Sequence, residues 1–572
     1  MFYRSLTVSI IFNSIWLGSC LRQALQTVME VPVTHAAVVC PQPVVAEAAA
    51  EILAAGGNAV DAAVAGMALQ AVVDPLMCGP GGYGVMTVHD AASGRDVVLD
   101  FFARAPLAVK EGAVQGELIR EFAYDYGYIV EGGHNEIGPR SIATPGTVAG
   151  MATALRQFGS MPWHAVLEPA AVVAEDGFPL TPAQSASWYA DDGPDKPGGL
   201  ERMAYSDSGR ALYTDDGAPL AIGTRVRNRD LAATLRQLMR RGPDDFYLGE
   251  LAQTMVAHLG QNESLLGAAD FKSFEVAQKA PLTSRYRGAT LAFPGYPGGG
   301  LSILAALNLL ELNPGQKDWP TADSVTAVAE ALQAALQDKA TYLAGDRTIP
   351  IPVEMLISKE YARQRMHLSV QALDPGSELS IGAEPPSTTH IAVVDRHGNA
   401  VAATHTLASG SGVISPGLGF MYNNFMHGYD PRPGRWNSLR PGATRPASMA
   451  PGLVFDSAGE LIGVLGASGS TRIVSALVQV ITHLLDRNWD PCRAVMAPRV
   501  NVQLDGTVQC EGRIPSRLER SLEQSGRSVR RHLANYDPYF GKAHVLWRSN
   551  LSRAWSGAAD PRGDGGTAIV TT

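Results

Sequence analysis

The chain has 572 residues, of which 46% are hydrophobic and 18% are charged, and its formal net charge is −9 at neutral pH. This is ordinary globular composition, and the length is sufficient for a large core in two domains or in one large layered domain. The negative net charge and the lack of a basic run argue against nucleic acid as a partner. They favour a small molecule or a peptide.

The five cysteines form no pattern typical of a metal or disulfide site. They include no C-x-x-C pair and no Cys/His cluster, so we expect neither a zinc site nor a disulfide framework, and most of them should be small buried residues. No cofactor is expected. The cysteines are Cys20, Cys40, Cys78, Cys492 and Cys510.

Two interpretations fit the first 28 residues. Residues 1–20 contain one arginine, an apolar run and the sequence LGSC, as in a lipoprotein signal, which predicts a periplasmic or membrane-anchored protein. Alternatively, translation begins at Met29, which predicts a cytoplasmic protein without residues 1–28. The apolar run is too short and too interrupted by polar residues to predict a membrane span, and no other stretch predicts one.

An alanine-rich stretch after Cys40 predicts two helices separated by Gly56-Gly57-Asn58. The glycines can adopt the positive φ that ends a helix, and Asn58 can cap the helix that follows. So much alanine indicates helices that pack tightly inside a larger body.

Gly79, Gly81 and Gly84 match the dinucleotide-binding pattern G-x-G-x-x-G. That motif requires a helix N-terminus directly after the glycines, to hold phosphate. Here a strand-like run over residues 85–89 follows instead. We therefore predict a crowded turn rather than a dinucleotide site.

Helix and strand patterns alternate over the rest of the chain. Helices are predicted after Pro145-Gly146, after the Pro/Gly-rich loop within residues 291–310, and over 324–343 and 471–487. Short strands and turns dominate after Thr388. Strands in both halves, with helices between them, predict an α/β layered body.

A β-hairpin is predicted over residues 391–407, with Arg396-His397-Gly398 as its loop. A three-residue loop with glycine last favours a type I turn followed by a left-handed bulge position. In that register Thr388 faces Thr406, with Cβ atoms about 4.5–5.5 Å apart, and a bulge would shift the pairing by one residue. Such Thr–Thr pairs also stabilise ordinary sheets, so the pair alone does not establish a site.

A threonine hydroxyl is a weak nucleophile without an adjacent base. His405 neighbours Thr406 in sequence, but strand alternation places it on the opposite face. Cleavage between Ser387 and Thr388 would make the new α-amine the base, since its ordinary pKa is about 7.7–8.0. The prolines that precede Ser387 disfavour regular structure, as expected of an exposed, cleavable junction. The other two threonines, Thr389 and Thr404, are interpreted as strand residues.

The sequence resembles the γ-glutamyltransferase (γ-glutamyl transpeptidase) family of N-terminal-nucleophile hydrolases from about Cys40 to Ala568. The resemblance rests on several segments that follow one another in the family's order. These are AAGGNAVDAAVA, GPGGYGVM, TPGTVAG, WHAVLEPAAVVAEDGFPLT, FPGYPGGG, STTHIAVVDRHGNAVAATHTL, NNFM, RPASMAP, GASGSTRI and ADPRG.

This resemblance implies a four-layer α-β-β-α sandwich and an inactive precursor that cleaves itself before Thr388. Residues 29–387 would form the large subunit and residues 388–572 the small subunit. Thr388 would attack an amide carbonyl, form an acyl-enzyme and pass the acyl group to water or to an amine.

The resemblance also implies roles for three residues around Thr388. Thr406 matches the family threonine that hydrogen-bonds the nucleophile. Gly469 and Ser470 match the paired glycines whose backbone N–H groups form the oxyanion hole. Serine at the second position is tolerable because the donor is a backbone group.

The match breaks on the side that holds the glutamyl α-carboxylate. The family has an arginine in a D-F-R-E-x-A-P segment, and this chain reads DFFARAP, with Phe102 in the arginine's place. Arg104 lies two positions later, on the same strand face, and could substitute for it. The segment RPASMAP keeps Ser448 of two family serines and replaces the other with Ala447.

The match also breaks on the α-amino side. Ala408 stands where the family has an asparagine, Phe425 where it has a glutamine, and Gly428 where it has an aspartate. No acid remains there to pair with an ammonium group, and an unpaired buried charge is costly. We therefore expect a less charged, more apolar pocket, and a donor as in the cephalosporin-acylase branch fits at least as well as glutathione.

Two other classes of function stay open from the sequence. One is a scaffold, processed or not, that only binds peptide-like ligands. The other is a serine- or metal-dependent hydrolase with a different pocket, although no G-x-S-x-G elbow lies between a strand and a helix. The expected partner is a small-molecule or peptide-like amide.

Overall fold

The computed structural model describes residues 36–121, 127–191, 196–313, 317–366, 388–549 and 554–570. The alternative N-terminal segments and Ser387 lie outside the described residues, and so does the proline-rich run before Ser387.

The strands in chain order are β1 (Ala36–Cys40), β2 (Tyr83–Asp90), β3 (Arg95–Phe101), β4 (Leu118–Glu121), β5 (Tyr128–Val130), β6 (Phe178–Pro179), β7 (Thr214–Asp215), β8 (Ala218–Pro219), β9 (Arg225–Val226), β10 (Ala277–Lys279), β11 (Leu282–Tyr286) and β12 (Ala289–Phe293). They continue with β13 (Thr389–Val394), β14 (Ala400–Thr406), β15 (Gly452–Phe455), β16 (Leu461–Ser468), β17 (Val500–Val502), β18 (Val508–Cys510), β19 (Val529–Arg531), β20 (Lys542–Arg548), β21 (Trp555–Ala559) and β22 (Gly566–Val570).

The α-helices are α1 (Pro43–Ala54), α2 (Ala59–Val73), α3 (Thr147–Phe158), α4 (Trp163–Asp176), α5 (Pro182–Trp188), α6 (Gly199–Ala204), α7 (Asp207–Tyr213), α8 (Arg229–Arg241), α9 (Asp245–Leu248) and α10 (Glu250–Gln261). They continue with α11 (Ala268–Lys272), α12 (Gly300–Glu311), α13 (Ala322–Ala344), α14 (Val353–Leu356), α15 (Lys359–Met366), α16 (Arg472–Leu485), α17 (Pro491–Met496) and α18 (Ser516–Gln524).

Two large antiparallel sheets organise the molecule. The first has the strand order β10-β3-β2-β14-β13-β1-β22, and the second has the order β11-β12-β15-β16-β20-β21. Strands β13 and β14 at the centre of the first sheet pack against β16 of the second. The mixed α/β body that the sequence predicts is therefore confirmed.

Buried apolar side chains form three clusters around these sheets. One cluster joins α2, α4 and α8 to the first sheet, and another joins α12, α13 and α16 to the second. A third, smaller cluster lies between the sheets and includes Ala392, Ala402 and Val464. Since strand residues alternate between faces, even-numbered residues of β13 and β14 point toward the second sheet and odd-numbered ones toward the helices.

Local signals account for the first helices. Gly56 has φ 97° after α1, and the Asn58 side chain accepts hydrogen bonds from the N–H groups of Val60 and Asp61 as the N-cap of α2. The glycine-rich turn that follows α2 leads into β2, and a Cβ on Gly81 would lie 2.4 Å from a backbone oxygen. The predicted crowded turn followed by a strand is confirmed.

In the part of the chain that the structure describes, no helix combines the length and the apolar character needed to cross a bilayer. None of the four cysteines in this part of the chain forms a disulfide bond.

The central hairpin is held by one buried carboxylate, that of Asp395. Its oxygens accept hydrogen bonds from the backbone N–H groups of His397 and Asn399 in the turn, at 2.8 and 3.0 Å. They also accept one from the N–H of Ala59, at the first turn of α2, at 3.0 Å. Asp395 thus fixes the turn and attaches it to the helix layer.

We predict that Asp395→Ala lowers the free energy of unfolding by about 2–4 kcal/mol, because it leaves the buried N–H of Ala59 and the partly buried donors of the turn without an acceptor. Urea unfolding followed by circular dichroism measures this change. The matched control is Arg396→Ala, an exposed residue of the same turn, for which we expect a change within about 0.5 kcal/mol. Equal effects of the two substitutions would contradict this role of Asp395.

Candidate active site

Two threonine hydroxyls meet at the end of the central hairpin. The hydroxyl of Thr388 donates a hydrogen bond to Thr406 Oγ1 at 3.2 Å, and Thr406 Oγ1 also accepts one from the N–H of Ala408 at 2.9 Å. Thr389 pairs with His405 across the strands and the register runs without a bulge to the turn. The predicted hairpin and its register are confirmed.

Thr388 is held in an unusual conformation. It is buried, with 8% of its surface exposed, and its φ is 132°. L-residues rarely adopt this region, and holding one there costs on the order of 1–3 kcal/mol. Strain of this kind in a buried residue is typical of functional sites.

The opposite face of the hairpin holds a separate hydrogen-bond network. Gln70 of α2 donates to Thr389 Oγ1 at 2.9 Å, and its Oε1 lies 2.9 Å from Nε2 of His405. His405 thus faces the helices, as strand alternation predicts. It offers no base to Thr406.

Two buried histidines lie directly behind the threonine pair, between the sheets. His390 Nδ1 lies 2.8 Å from Thr404 Oγ1, and the His390 ring stacks on that of His544 with centroids 6.2 Å apart. Burial lowers the pKa of His390 well below the ordinary range and that of His544 to about 3. Both rings are therefore neutral at pH 7.

Gly469 and Ser470 follow the end of β16, on the same side of the sandwich as Thr388. A Cβ on Gly466 would lie 2.2 Å from the His390 ring, whereas the other end of β16, at Leu461, lines one cavity together with Asp395. Strands β13 and β16 therefore run in opposite directions across the interface, and Thr388 lies at the end of β16 that continues into Gly469.

The turn formed by Gly469 and Ser470 has an unusual backbone conformation. The two residues have φ angles of 128° and 52°, and a Cβ on Gly469 would lie 2.8 Å from Cα of Gly541. Helix α16 begins directly afterwards at Arg472. Its N-terminus contributes positive potential beside this turn.

An aromatic wall leads away from the threonine pair. Tyr83 is the cross-strand neighbour of Thr406, and its ring centroid lies 4.4 Å from that of Phe425 and 6.0 Å from that of Phe102. Both phenylalanines are fully buried. The positions where the family has an arginine and a glutamine are thus filled by packed apolar rings.

Arg104, the residue predicted to replace the missing arginine, lies in a mixed environment. Its Nη2 is 3.7 Å from Oδ1 of Asp100, a carboxylate that also pairs with Lys279 at 2.7 Å. Nη1 of Arg104 is buried and has no hydrogen-bond partner among the described residues. Arg104 Nη1 is therefore a buried donor without an acceptor among the described residues.

Ser448 lies in a segment that the Pro/Gly-rich loop before α12 holds in place. The N–H of Ala447 donates to the Pro297 carbonyl at 2.8 Å, and the N–H of Gly299 donates to the Met449 carbonyl at 2.9 Å. A Cβ on Gly299 would lie 2.4 Å from the Ser448 carbonyl oxygen. The glycines of this loop allow it to contact the Ser448 backbone closely.

Sequence reasoning did not single out Arg445. This residue is 5% exposed, and its guanidinium carbon lies 4.3 Å from the centroid of the Phe425 ring. A Cβ on Gly428 would lie 2.3 Å from the same carbon. The guanidinium thus lies where an aspartate side chain at position 428 would begin. The sequence signal that could have pointed to Arg445 is the single charged residue of the RPASMAP segment.

Across the described ranges, no three or more His, Cys, Asp or Glu residues are grouped in a way that could hold a metal ion.

We predict that His544 makes stability depend on pH. The folded state lowers its pKa from 6.5 to about 3, so the unfolded chain binds one more proton between these values and the free energy of unfolding falls as pH decreases. His544→Leu should reduce the slope of the free energy of unfolding against pH by about 1.4 kcal/mol per pH unit between roughly pH 4 and 6. Urea unfolding across this range measures it.

The control is Phe540→Leu, a buried substitution that involves no titratable group, which should lower stability but leave its dependence on pH unchanged. A slope that is the same in wild type and His544→Leu would show that His544 is not buried in its neutral form.

Comparisons with known proteins identify the family of this chain. A family described as Gamma-glutamyltranspeptidase matches residues 45–570. The chain is 35% identical over 500 residues to the acylase ACY 1 proenzyme of Pseudomonas sp. (strain SE83), covering 86% of this chain and 87% of that protein. It is 30% identical over 500 residues to the glutathione hydrolase proenzyme of Escherichia coli (strain K12), covering 84% and 83%.

Solved structures give the same result. A cephalosporin acylase from Bacillus halodurans superimposes with a TM-score of 0.83 at 26% identity over 100% of both chains. The γ-glutamyltranspeptidase of Helicobacter pylori superimposes with a TM-score of 0.51 at 27% identity, covering 59% of this chain and 91% of that chain. The protein therefore belongs to the γ-glutamyltranspeptidase family of enzymes.

Proposed function

We propose that this protein is an N-terminal-threonine amidohydrolase or acyltransferase that matures by cutting its own chain between Ser387 and Thr388. Residues 29–387 become the large subunit and residues 388–572 the small subunit, and together they form a four-layer α-β-β-α sandwich. The observation that carries the proposal is the buried hydrogen bond between Thr388 and Thr406. The names of the acylase and glutathione hydrolase relatives, both proenzymes, support maturation by cleavage.

Maturation uses the Thr388 hydroxyl. Its Oγ1 attacks the carbonyl carbon of Ser387, the C–N bond breaks, and the chain is joined through an ester. Water then hydrolyses the ester and frees both the Ser387 carboxylate and the Thr388 amine. The strained φ of 132° at Thr388 favours such a rearrangement, because the break releases the backbone constraint.

Turnover repeats this chemistry on an external amide. The Thr388 amine takes the hydroxyl proton as Oγ1 attacks the substrate carbonyl, and it then passes the proton to the leaving nitrogen. The N–H groups of Gly469 and Ser470 stabilise the oxyanion. Because the Thr388 hydroxyl gives its single proton to the amine, the Thr406 hydroxyl orients Oγ1 by donating a hydrogen bond to it. Water or an amine then attacks the acyl-enzyme and releases the acyl group.

The donor is an acyl group without an α-ammonium group. Ala408, Phe425 and Gly428 provide no carboxylate for an ammonium, and the aromatic wall favours an apolar chain. The relationship to the acylase supports this assignment. Ser448 and Arg104 are proposed to contact the donor, and their presence favours a γ-glutamyl compound as the second candidate.

We predict that the purified wild-type protein consists of two fragments, the smaller one beginning at Thr388, and that Thr388→Ala stays one chain without turnover. Intact mass and hydrolysis of acyl anilides measure both. The matched control is Thr389→Ser, which keeps a hydroxyl toward Gln70 and should still be cleaved. Cleavage of Thr388→Ala at this bond, or full activity in an uncut chain, would contradict the proposal.

We predict that Thr406→Val lowers kcat by roughly 10–100-fold, because it removes the hydroxyl that orients the nucleophile while keeping the side-chain volume. Steady-state kinetics on the cleaved fraction measures it. Thr341→Val, on α13, serves as a control and should change kcat less than about twofold. An unchanged kcat in Thr406→Val would remove Thr406 from the mechanism.

A further inference from the structure

One amide of the helix layer, that of Gln70 in the last turn of α2, binds both strands of the central hairpin. Its Nε2 donates to Thr389 Oγ1 at 2.9 Å and to the His390 carbonyl at 3.3 Å, and its Oε1 lies 2.9 Å from Nε2 of His405. Thr389 and His405 are cross-strand partners in the hairpin ladder. Gln70 therefore bridges the cross-strand pair that is next in sequence to the two site threonines.

A carboxylate at the far end of this network fixes the orientation of its amides. Burial raises the pKa of Asp74 to about 6, so its carboxylate is ionised at pH 7 and can only accept; Gln42 Nε2 donates to it at 2.9 Å. The Gln42 oxygen therefore faces Gln70 and accepts from its Nε2 at 3.0 Å. The Gln70 oxygen is left for His405, whose Nε2–H donates to it.

Burial makes these hydrogen bonds costly to lose. Gln42, Gln70, Thr389 and His405 are all buried, and water cannot readily replace a partner that one of them loses. A buried network whose members are mutually satisfied holds the groups that it joins in one arrangement. The Gln70 amide thus keeps Thr389 and His405 at one separation, from the face of the hairpin opposite the Thr388 hydroxyl.

This support matters most at a chain end. Cleavage before Thr388 would remove the covalent bond that restrains its backbone from one side, and terminal residues lose order unless other contacts hold them. The side chain of Thr388 is held by the hydrogen bond to Thr406 at 3.2 Å. The first residue after the new end is Thr389, and Gln70 holds it through the side chain.

The network also joins the two proposed subunits. Gln42, Gln70 and Asp74 belong to the large subunit, residues 29–387, whereas Thr389 and His405 belong to the small subunit. The hydrogen bonds of Gln70 to Thr389 and His405 therefore cross from one subunit to the other.

We propose that Gln70 is a positioning residue through which the large subunit holds the new end of the small subunit, so that Thr388 Oγ1 stays at hydrogen-bond distance from Thr406 during turnover. This assignment rests on the proposed function, because it concerns a cleaved chain with Thr388 as the nucleophile. Gln70 acts through Thr389 and His405, since it lies behind the hairpin.

The first test replaces the amide. Gln70→Met removes its donors and its acceptor while nearly keeping its length. On the cleaved fraction, kcat for an acyl anilide should fall roughly 10–100-fold while KM changes less than about threefold, because a displaced nucleophile slows the chemical step more than it weakens binding. Steady-state kinetics measures both constants.

The matched control is Gln479→Met, on α16. Gln479 is an equally buried amide, and its Nε2 donates to the carbonyls of Ser475 and Val500 at 2.7 and 2.8 Å. Urea unfolding should show a loss of stability similar to that of Gln70→Met, whereas kcat should stay within about twofold of wild type. This comparison separates positioning from a general loss of stability.

The second test changes the partner of Gln70, and it does not require that Gln70→Met folds. Thr389→Val keeps a good strand residue but removes the hydroxyl, and kcat should fall at least about fivefold. Thr389→Ser keeps the hydroxyl and should stay within about twofold of wild type. In the double variant of Gln70→Met and Thr389→Val, kcat should equal that of Gln70→Met alone, because the shared bond is already lost.

The outcomes separate this assignment from the proposed function. With a cleaved, active wild type, the assignment is overturned if kcat is unchanged in Gln70→Met and Thr389→Val, if Thr389→Ser loses as much as Thr389→Val, or if the two losses multiply. A folded Gln70→Met chain that stays uncut also overturns it, because Gln70 would then act before turnover. A wild type that is neither cut at Thr388 nor active on any donor overturns the proposed function as well.

Discussion

The hydrogen bond between Thr388 and Thr406 is the contact on which the rest of the site depends. It exists because Asp395 fixes the turn of the central hairpin and thereby its register. A slip of one residue would turn every side chain to the opposite face and separate the two hydroxyls. The same register places Tyr83 beside Thr406, so one hairpin positions both the proposed nucleophile and the start of the aromatic wall.

Features with a local cause could be predicted from the sequence. Gly398 predicts the turn of the hairpin, and Asn58 predicts the start of a helix. Counting residues from the turn is then enough to pair Thr388 with Thr406. Helices α14 and α15 were not predicted, because they are short and lie in a polar stretch of sequence that contains prolines. They are stabilised by tertiary contacts such as the bond from the Asn308 side chain to the Ile357 carbonyl.

The charge on the donor side could not be predicted, since it depends on segments that are distant in sequence. Comparison with the family shows that Gly428 stands in place of an acid. It does not show that the guanidinium of Arg445 lies against that glycine. Phe102 and Phe425 are the buried apolar side chains that the sequence predicts there, and the Arg445 guanidinium lies against the Phe425 ring. The role of Gly469 and Ser470 in an oxyanion hole is expected from resemblance alone and stays a prediction. The structure adds that both residues have positive φ angles.

The central claim is that Thr388 becomes the acylated nucleophile of a cleaved chain. The most direct measurement is peptide mapping by mass spectrometry after an acid quench during turnover of an acyl anilide. The account predicts the mass of the acyl group on the peptide that begins with Thr388, bound through its hydroxyl. An acyl group on any other residue, or turnover by chains that still contain the bond between Ser387 and Thr388, would contradict it.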